Sequence, residues 1–217
     1  MRYASKVVAL VSALAAPVSA HAGALAGTIT AEGGLAAGTT VYLEGGPASV
    51  KEALAPQPKR KVAITQKNSA FAPSAVVVTA GSVVDFPNED KIYHNVFSLT
   101  EGNEFDLGLY RGGVSKTVTL KKTGEIDIYC NIHPDMIAKV LVVETPYVAS
   151  VAGDGKYSFA DVPAGTWTVK FWSPDHEAVS KTVTVAGADA RTDASLKRRK
   201  ESKAHLNKNG EQYGRYK

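Results

Sequence analysis

The stretch Tyr129-Cys130-Asn131-Ile132-His133-Pro134-Asp135-Met136 constrains this chain more than any other. It holds the only cysteine in 217 residues, one of five histidines and one of two methionines. Its spacing is Cys-x-x-His-x-x-Met. The turn Thr123-Gly124 leads into it, and the apolar run Ile137-Ala138-Lys139-Val140-Leu141-Val142-Val143 leaves it. A second histidine, His94, lies 36 residues before Cys130 in Lys91-Ile92-Tyr93-His94-Asn95-Val96-Phe97-Ser98. One thiolate, two imidazoles and a thioether make a soft donor set, suited to copper and poorly suited to hard cations.

These segments resemble the C-terminal end of a small cupredoxin, with amicyanin and pseudoazurin nearest in loop length and plastocyanin a little further. The resemblance covers under half of the chain, as a domain over residues 61–145. It implies a Greek-key β-sandwich holding one type 1 (blue) copper, with His94, Cys130, His133 and Met136 as the four ligands. It also implies a supporting role for Asn95, whose N–H faces the thiolate sulfur and whose side chain ties the two ligand segments together. Pro134 stands beside the loop histidine, which in this family lies at the surface within an apolar patch. Phe71-Ala72-Pro73 and Phe86-Pro87-Asn88-Glu89-Asp90 also resemble cupredoxin openings.

The cysteine count bears on compartment independently. Residues 1–22 carry a basic start, an apolar run from Val7 to Ala16 and the small residues Val18-Ser19-Ala20. That order describes a secretory signal peptide cleaved after Ala20 or Ala22, with an apolar run too short to span a bilayer. The expected location is the periplasm or outside the cell. A lone cysteine there cannot form an internal disulfide and is exposed to oxidation. Metal ligation resolves this, because it keeps the thiolate occupied.

The rest of the chain reads as short strands with turn signals and no helical periodicity, so the fold class is all-β. Val62–Gln66, Ala75–Thr79, Ser82–Phe86 and Val114–Leu120 are expected strands, and Phe105–Tyr110 fits a strand edge near the ligand loops or a plain core strand. Residues 146–190 follow another pattern, with Gly153-Asp154-Gly155-Lys156-Tyr157-Ser158-Phe159 and Val162-Pro163-Ala164-Gly165-Thr166-Trp167 each joining a turn to a strand. These resemble the transthyretin-like sandwich of carboxypeptidase regulatory-like domains. The earlier strands of that pattern stand instead at 26–44, as Ala26-Gly27-Thr28-Ile29-Thr30 and Val41-Tyr42-Leu43. The expectation is therefore a discontinuous second sandwich, 23–50 with 146–190, into which the cupredoxin is inserted through a 51–60 linker. Insertion costs little when the inserted ends lie close together. The alternative is that 23–50 extends the cupredoxin sheet.

The chain has 25 basic and 21 acidic residues. Nine of the basic and three of the acidic residues fall in 191–217, so the basic character belongs to the tail. The tail is polar and aperiodic, and it is expected to be disordered, acting as a solubilising segment or steering toward an acidic partner or an anionic membrane surface. Nucleic acid is not an expected partner of an exported chain. Outside the motif, only His21, His176 and His205 remain, scattered and without ligand spacing. Multicopper enzyme chemistry needs further histidine clusters, so an enzyme is not expected. The resemblance implies instead an electron carrier between redox proteins such as a c-type cytochrome or a dehydrogenase. A copper chaperone or sensor, and a non-redox interaction protein, are the alternatives.

Overall fold

The computed structural model describes residues 22–47, 59–200 and 207–211. Residues 1–21 of the expected signal segment, 51–58 of the expected linker, His21 and His205 lie outside them. Among the described residues every regular element is a strand, and no helix is long and apolar enough to cross a membrane.

The chain opens with β1 (Gly23–Ala31), β2 (Gly34–Leu35) and β3 (Thr40–Gly45). A second group follows: β4 (Lys61–Ala63), β5 (Thr65–Lys67), β6 (Ala70–Ala72), β7 (Ala75–Thr79), β8 (Val83–Pro87), β9 (His94–Ser98), β10 (Phe105–Tyr110), β11 (Ser115–Thr119), β12 (Gly124–Tyr129) and β13 (Ile137–Val143). The chain ends with β14 (Val148–Ser150), β15 (Lys156–Val162), β16 (Gly165–Trp172), β17 (Val179–Val185), β18 (Ala190–Arg191) and β19 (Ala194–Leu196).

The first and last groups hydrogen-bond to each other across the whole sequence. β1 pairs with β15, and β3 pairs with both β14 and β16. Two sheets result, one around β1 and one in the order β14-β3-β16-β17. Strand alternation sends one face of each into a shared core containing Leu25, Ile29, Val41, Leu43, Phe159, Trp167, Val169 and Phe171. The middle group forms its own sandwich. Its larger sheet runs β10-β9-β12-β13-β7, its smaller one β11-β8-β4, and between them lie Val84, Phe86, Val96, Ile126, Ile128, Val140 and Val142.

The apolar run Val140–Val143 is buried on both faces of its strand. Val140 and Val142 point into the middle sandwich, while Leu141 and Val143 pack with Tyr42 and Trp172 of the other one. Ala75 and Val77 of β7, parallel to β13, join that second contact. Such two-sided burial is why the segment lacks the polar alternation of a half-exposed strand. A charged network reinforces the junction. Arg199 donates to both oxygens of Glu125 at 2.9 and 2.5 Å, and Trp172 Nε1 and Lys139 Nζ also donate to that carboxylate, at 2.5 and 2.7 Å.

The tail differs from expectation over residues 191–199. β18 and β19 run parallel to β1, and Thr192, Ala194 and Leu196 alternate inward. Gly27 makes room for this segment: a Cβ there would lie 2.0 Å from the Thr192 carbonyl oxygen. The segment is polar in composition, but β1 supplies the pairing that a local reading cannot see.

Candidate metal centre

Cys130 follows directly on β12, in which Ile126 and Ile128 face the core. The alternation carries its side chain inward as well, and it is fully buried. The chain then turns back within seven residues into β13, which pairs antiparallel with β12 from Tyr129↔Ile137 onward. Two backbone bonds close this loop: Met136 N–H donates to the His133 carbonyl at 3.0 Å, and Cys130 N–H donates to the Met136 carbonyl at 3.2 Å. Met136 is fully buried in the same cluster as Cys130, whereas His133 is half-buried at the rim.

His94 enters from the neighbouring strand, since β9 pairs with β12 through Tyr129↔Phe97. It is the first residue of β9 and completely buried. Its Nε2 lies 2.8 Å from Asp90 Oδ2, which leaves Nδ1 facing the loop, 3.0 Å from His133 Nδ1. Cys130 Sγ lies 3.7 Å from the same His133 nitrogen. All three donor atoms fall within 4.8 Å of one another.

Asp90 is itself held in place. The backbone N–H groups of Asn68 and Ser69 donate to its two oxygens at 2.6 and 2.9 Å, from a β5–β6 turn in which both residues have φ +54°. Burial works against its charge, but the Ser69, His94 and Asn68 donors outweigh it, and the carboxyl sits below its ordinary value. Asn88, 1% exposed, shapes the loop before His94. Its amide donates to the carbonyls of Ile92 and Tyr110, and its Oδ1 accepts from Asp90 N–H. The sequence marks Asn88 and Asp90 through the resemblance of Phe86–Asp90 to a cupredoxin opening and through the Asn-x-Asp pattern just before the histidine, typical of side chains that bond nearby backbone, but assigns neither a contact with His94.

The donor set fits a transition-metal ion. Bonds of about 2.0 Å to imidazole nitrogen and about 2.3 Å to thiolate sulfur, in one plane, would separate N from S by about 3.7 Å, close to the observed spacing. The two imidazoles lie edge to face at a 4.7 Å centroid distance. Burial and the neighbouring His94 push the His133 pKa down, Asp90 opposing them only in part, which favours the neutral ring that a ligand requires. Carboxylate–imidazole contacts such as Asp90–His94 fix the tautomer and orientation of metal-ligating histidines.

Three of the four residues singled out by spacing, His94, Cys130 and His133, thus bring their donor atoms together, and Met136 is buried in the same core cluster as Cys130. The Asn95 side chain turns toward β10. Its amide donates to Asp106 Oδ1 at 2.6 Å, and its Oδ1 is buried without a hydrogen-bond partner among the described residues. β9 and β10 are adjacent, with Tyr110↔His94 in register, so a β10 carboxylate reaches Asn95 first. Pro134 is exposed on the loop. His176 lies in the other sandwich, bonded to Ser173, and takes no part.

No protein-family model matches the chain, and no curated protein matches it. Among solved structures, the copper-containing nitrite reductase of Thermus scotoductus SA-01 aligns at 25% identity and a TM-score of 0.37, over 42% of this chain and 24% of its own. The chain therefore spans about a quarter of that enzyme's length. A purple cupredoxin from Nitrosopumilus maritimus aligns at 19% identity and TM-score 0.34, over 38% of this chain and 99% of its own. An oxidized amicyanin variant aligns at 20% and 0.36, over 38% and 81%.

Proposed function

We propose that this protein is an exported, cupredoxin-type copper protein that carries single electrons and is not itself an enzyme. His94, Cys130 and His133 hold one type 1 copper, and Met136 supplies the fourth, weaker donor. The convergence of three donor atoms within 4.8 Å, two of them on fully buried residues, carries this reading. Bound copper would supply a Cu(I)/Cu(II) couple.

The chain's own residues suit such a couple. β9 and β12 fix His94 and Cys130 from a packed sandwich, and Asp90 locks the His94 ring, so the site resists rearrangement. His133 lies at the rim. Among the described residues, four of the six large, well-exposed apolar residues, Ile92, Tyr93, Leu109 and Ile137, are neighbours of ligand segments in sequence or register. Exposed apolar residues around the ligand segments would serve weak, small-area encounters with a redox protein such as a c-type cytochrome or a dehydrogenase. The second sandwich is read as a carboxypeptidase regulatory-like domain that braces the β7–β13 side.

Spectroelectrochemistry of the copper-loaded protein, paired with a mild chelator challenge, tests the reading. A carrier shows a reversible one-electron couple and keeps its copper over many cycles. Rapid loss to the chelator would overturn it in favour of copper trafficking.

A further inference from the structure

The segment Asn207–Glu211 folds back upon itself. Asn207 Oδ1 accepts from the N–H groups of Asn209 and Glu211 at 2.9 and 3.0 Å. Asn207 N–H donates to the Glu211 carbonyl at 2.8 Å, and Gly210, at φ +79°, donates to the Asn207 carbonyl at 2.9 Å. This closed turn presents Lys208 to the metal-bearing sandwich. Its backbone N–H donates to Asn131 Oδ1 at 2.9 Å, and its ammonium donates to Asp106 Oδ2 at 2.7 Å.

Both partners lead to the metal site by separate routes. Asn131 lies between Cys130 and His133 in the closed loop. The other oxygen of Asp106 accepts from Asn95, the residue after His94, and from Gly108 N–H. The contacts Asn131–Lys208–Asp106–Asn95 therefore join the two ligand-bearing segments through the C-terminal tail. Beside the β9–β12 pairing and the His94–His133 approach, the tail thus supplies a further connection between them.

We propose that the Asn207–Glu211 turn is a clasp that holds the Cys130–Met136 loop against β9 and β10, with Lys208 as its positioning residue. Lys208 also balances the Asp106 carboxylate beside the site. A negative charge left unbalanced there favours the more positive, oxidised state of a bound metal, so opening the clasp lowers the reduction potential. The ammonium and carboxylate are 37% and 39% exposed, so salt weakens the contact and an acidic surface can compete for it. The clasp itself stands on these contacts alone; its effect on potential rests on the electron-carrier reading above.

Amide hydrogen exchange in the metal-free full chain isolates the clasp from copper. Lys208→Ala, or a stop after residue 206, is expected to speed exchange of the Cys130 and Met136 N–H groups by at least about threefold, with the β1 and β16 amides unaffected. Lys197→Ala removes a charge from the same tail and is expected to change nothing in the loop. In the copper-loaded protein, Lys208→Ala is expected to lower the midpoint potential at low salt, with less difference from wild type at high salt, and Lys208→Arg is expected to restore it. Loop exchange identical to wild type in both variants overturns the clasp. Faster exchange with no change in potential keeps the clasp and overturns its electrostatic role. Failure of the wild-type chain to bind copper leaves the exchange result standing and overturns the potential claim along with the carrier reading.

Discussion

Asp90 Oδ2 lies 2.8 Å from His94 Nε2, and this contact decides which face of the buried imidazole is offered to Cys130 and His133. Asp90→Ala removes the partner and frees the ring. It is expected to weaken metal affinity about 10–100-fold, the usual cost of losing such a partner, as measured by competition with a chelator. Asp90→Asn keeps an acceptor for an Nε2–H and should recover part of the loss. Affinity unchanged in Asp90→Ala would show that β9 alone orients the ring.

Gly112 packs against the backbone of the same residue, Asp90. A Cβ at residue 112 would lie 2.0 Å from the Asp90 carbonyl oxygen, a backbone atom that cannot swing away. Gly112→Ala is expected to cost about 1–3 kcal/mol of stability by displacing the 88–92 loop, together with a loss of metal affinity. Chemical denaturation with and without metal measures both, and a wild-type midpoint would contradict the close approach.

Glu125 makes the junction between the sandwiches pH-dependent. Burial pushes its carboxyl up, but Lys139, Arg199 and Trp172 together hold it below its ordinary value of 4.5. A depressed folded-state pKa contributes stability that is present above about pH 4.5 and is lost as pH falls through the folded value. Arg199→Ala removes one partner from this partly buried carboxylate and is expected to cost about 1–3 kcal/mol near neutrality. It should also flatten the acid limb of the stability profile, and a limb of unchanged slope would count against this network.

Val140 and Leu141 are chain neighbours that serve different contacts, the middle-sandwich core and the junction between the sandwiches. Val140→Ala is expected to lower the stability of the middle sandwich by about 1–3 kcal/mol. Leu141→Ala leaves a cavity in the contact with Tyr42 and Trp172, expected to cost about 2–5 kcal/mol. The Leu141 substitution should separate the thermal transitions of the two sandwiches, whereas the Val140 substitution should lower the transition of the middle sandwich. Calorimetry distinguishes these outcomes; a single unsplit transition for both would mean that the bodies unfold as one.

Much of this architecture is legible in the sequence, and the parts that are not share a cause. The placing of Cys130, His133 and Met136 follows from a strand, a turn and a strand that are local in the chain. The pairing of β1 with β15 follows from an incomplete strand pattern at 146–190 and its missing half at 26–44. By contrast, β19 exists because β1 offers an edge more than 160 residues away, and nothing in Thr192–Leu196 itself demands it. Lys208 reads as one more charge in a basic tail until the fold sets it against Asp106 and Asn131. Asp90 is hidden for a similar reason, since its anchors, Asn68 and Ser69, lie in a separate turn.

The most direct test of the central claim is an absorption titration of residues 23–217 with Cu(II), alongside Cys130→Ser. An intense visible thiolate-to-copper band is expected. It should saturate at about one equivalent, vanish reversibly on reduction and be absent from the serine variant. Colourless binding, or a band of equal strength in Cys130→Ser, would contradict the assignment of Cys130, His94 and His133 as a type 1 copper site.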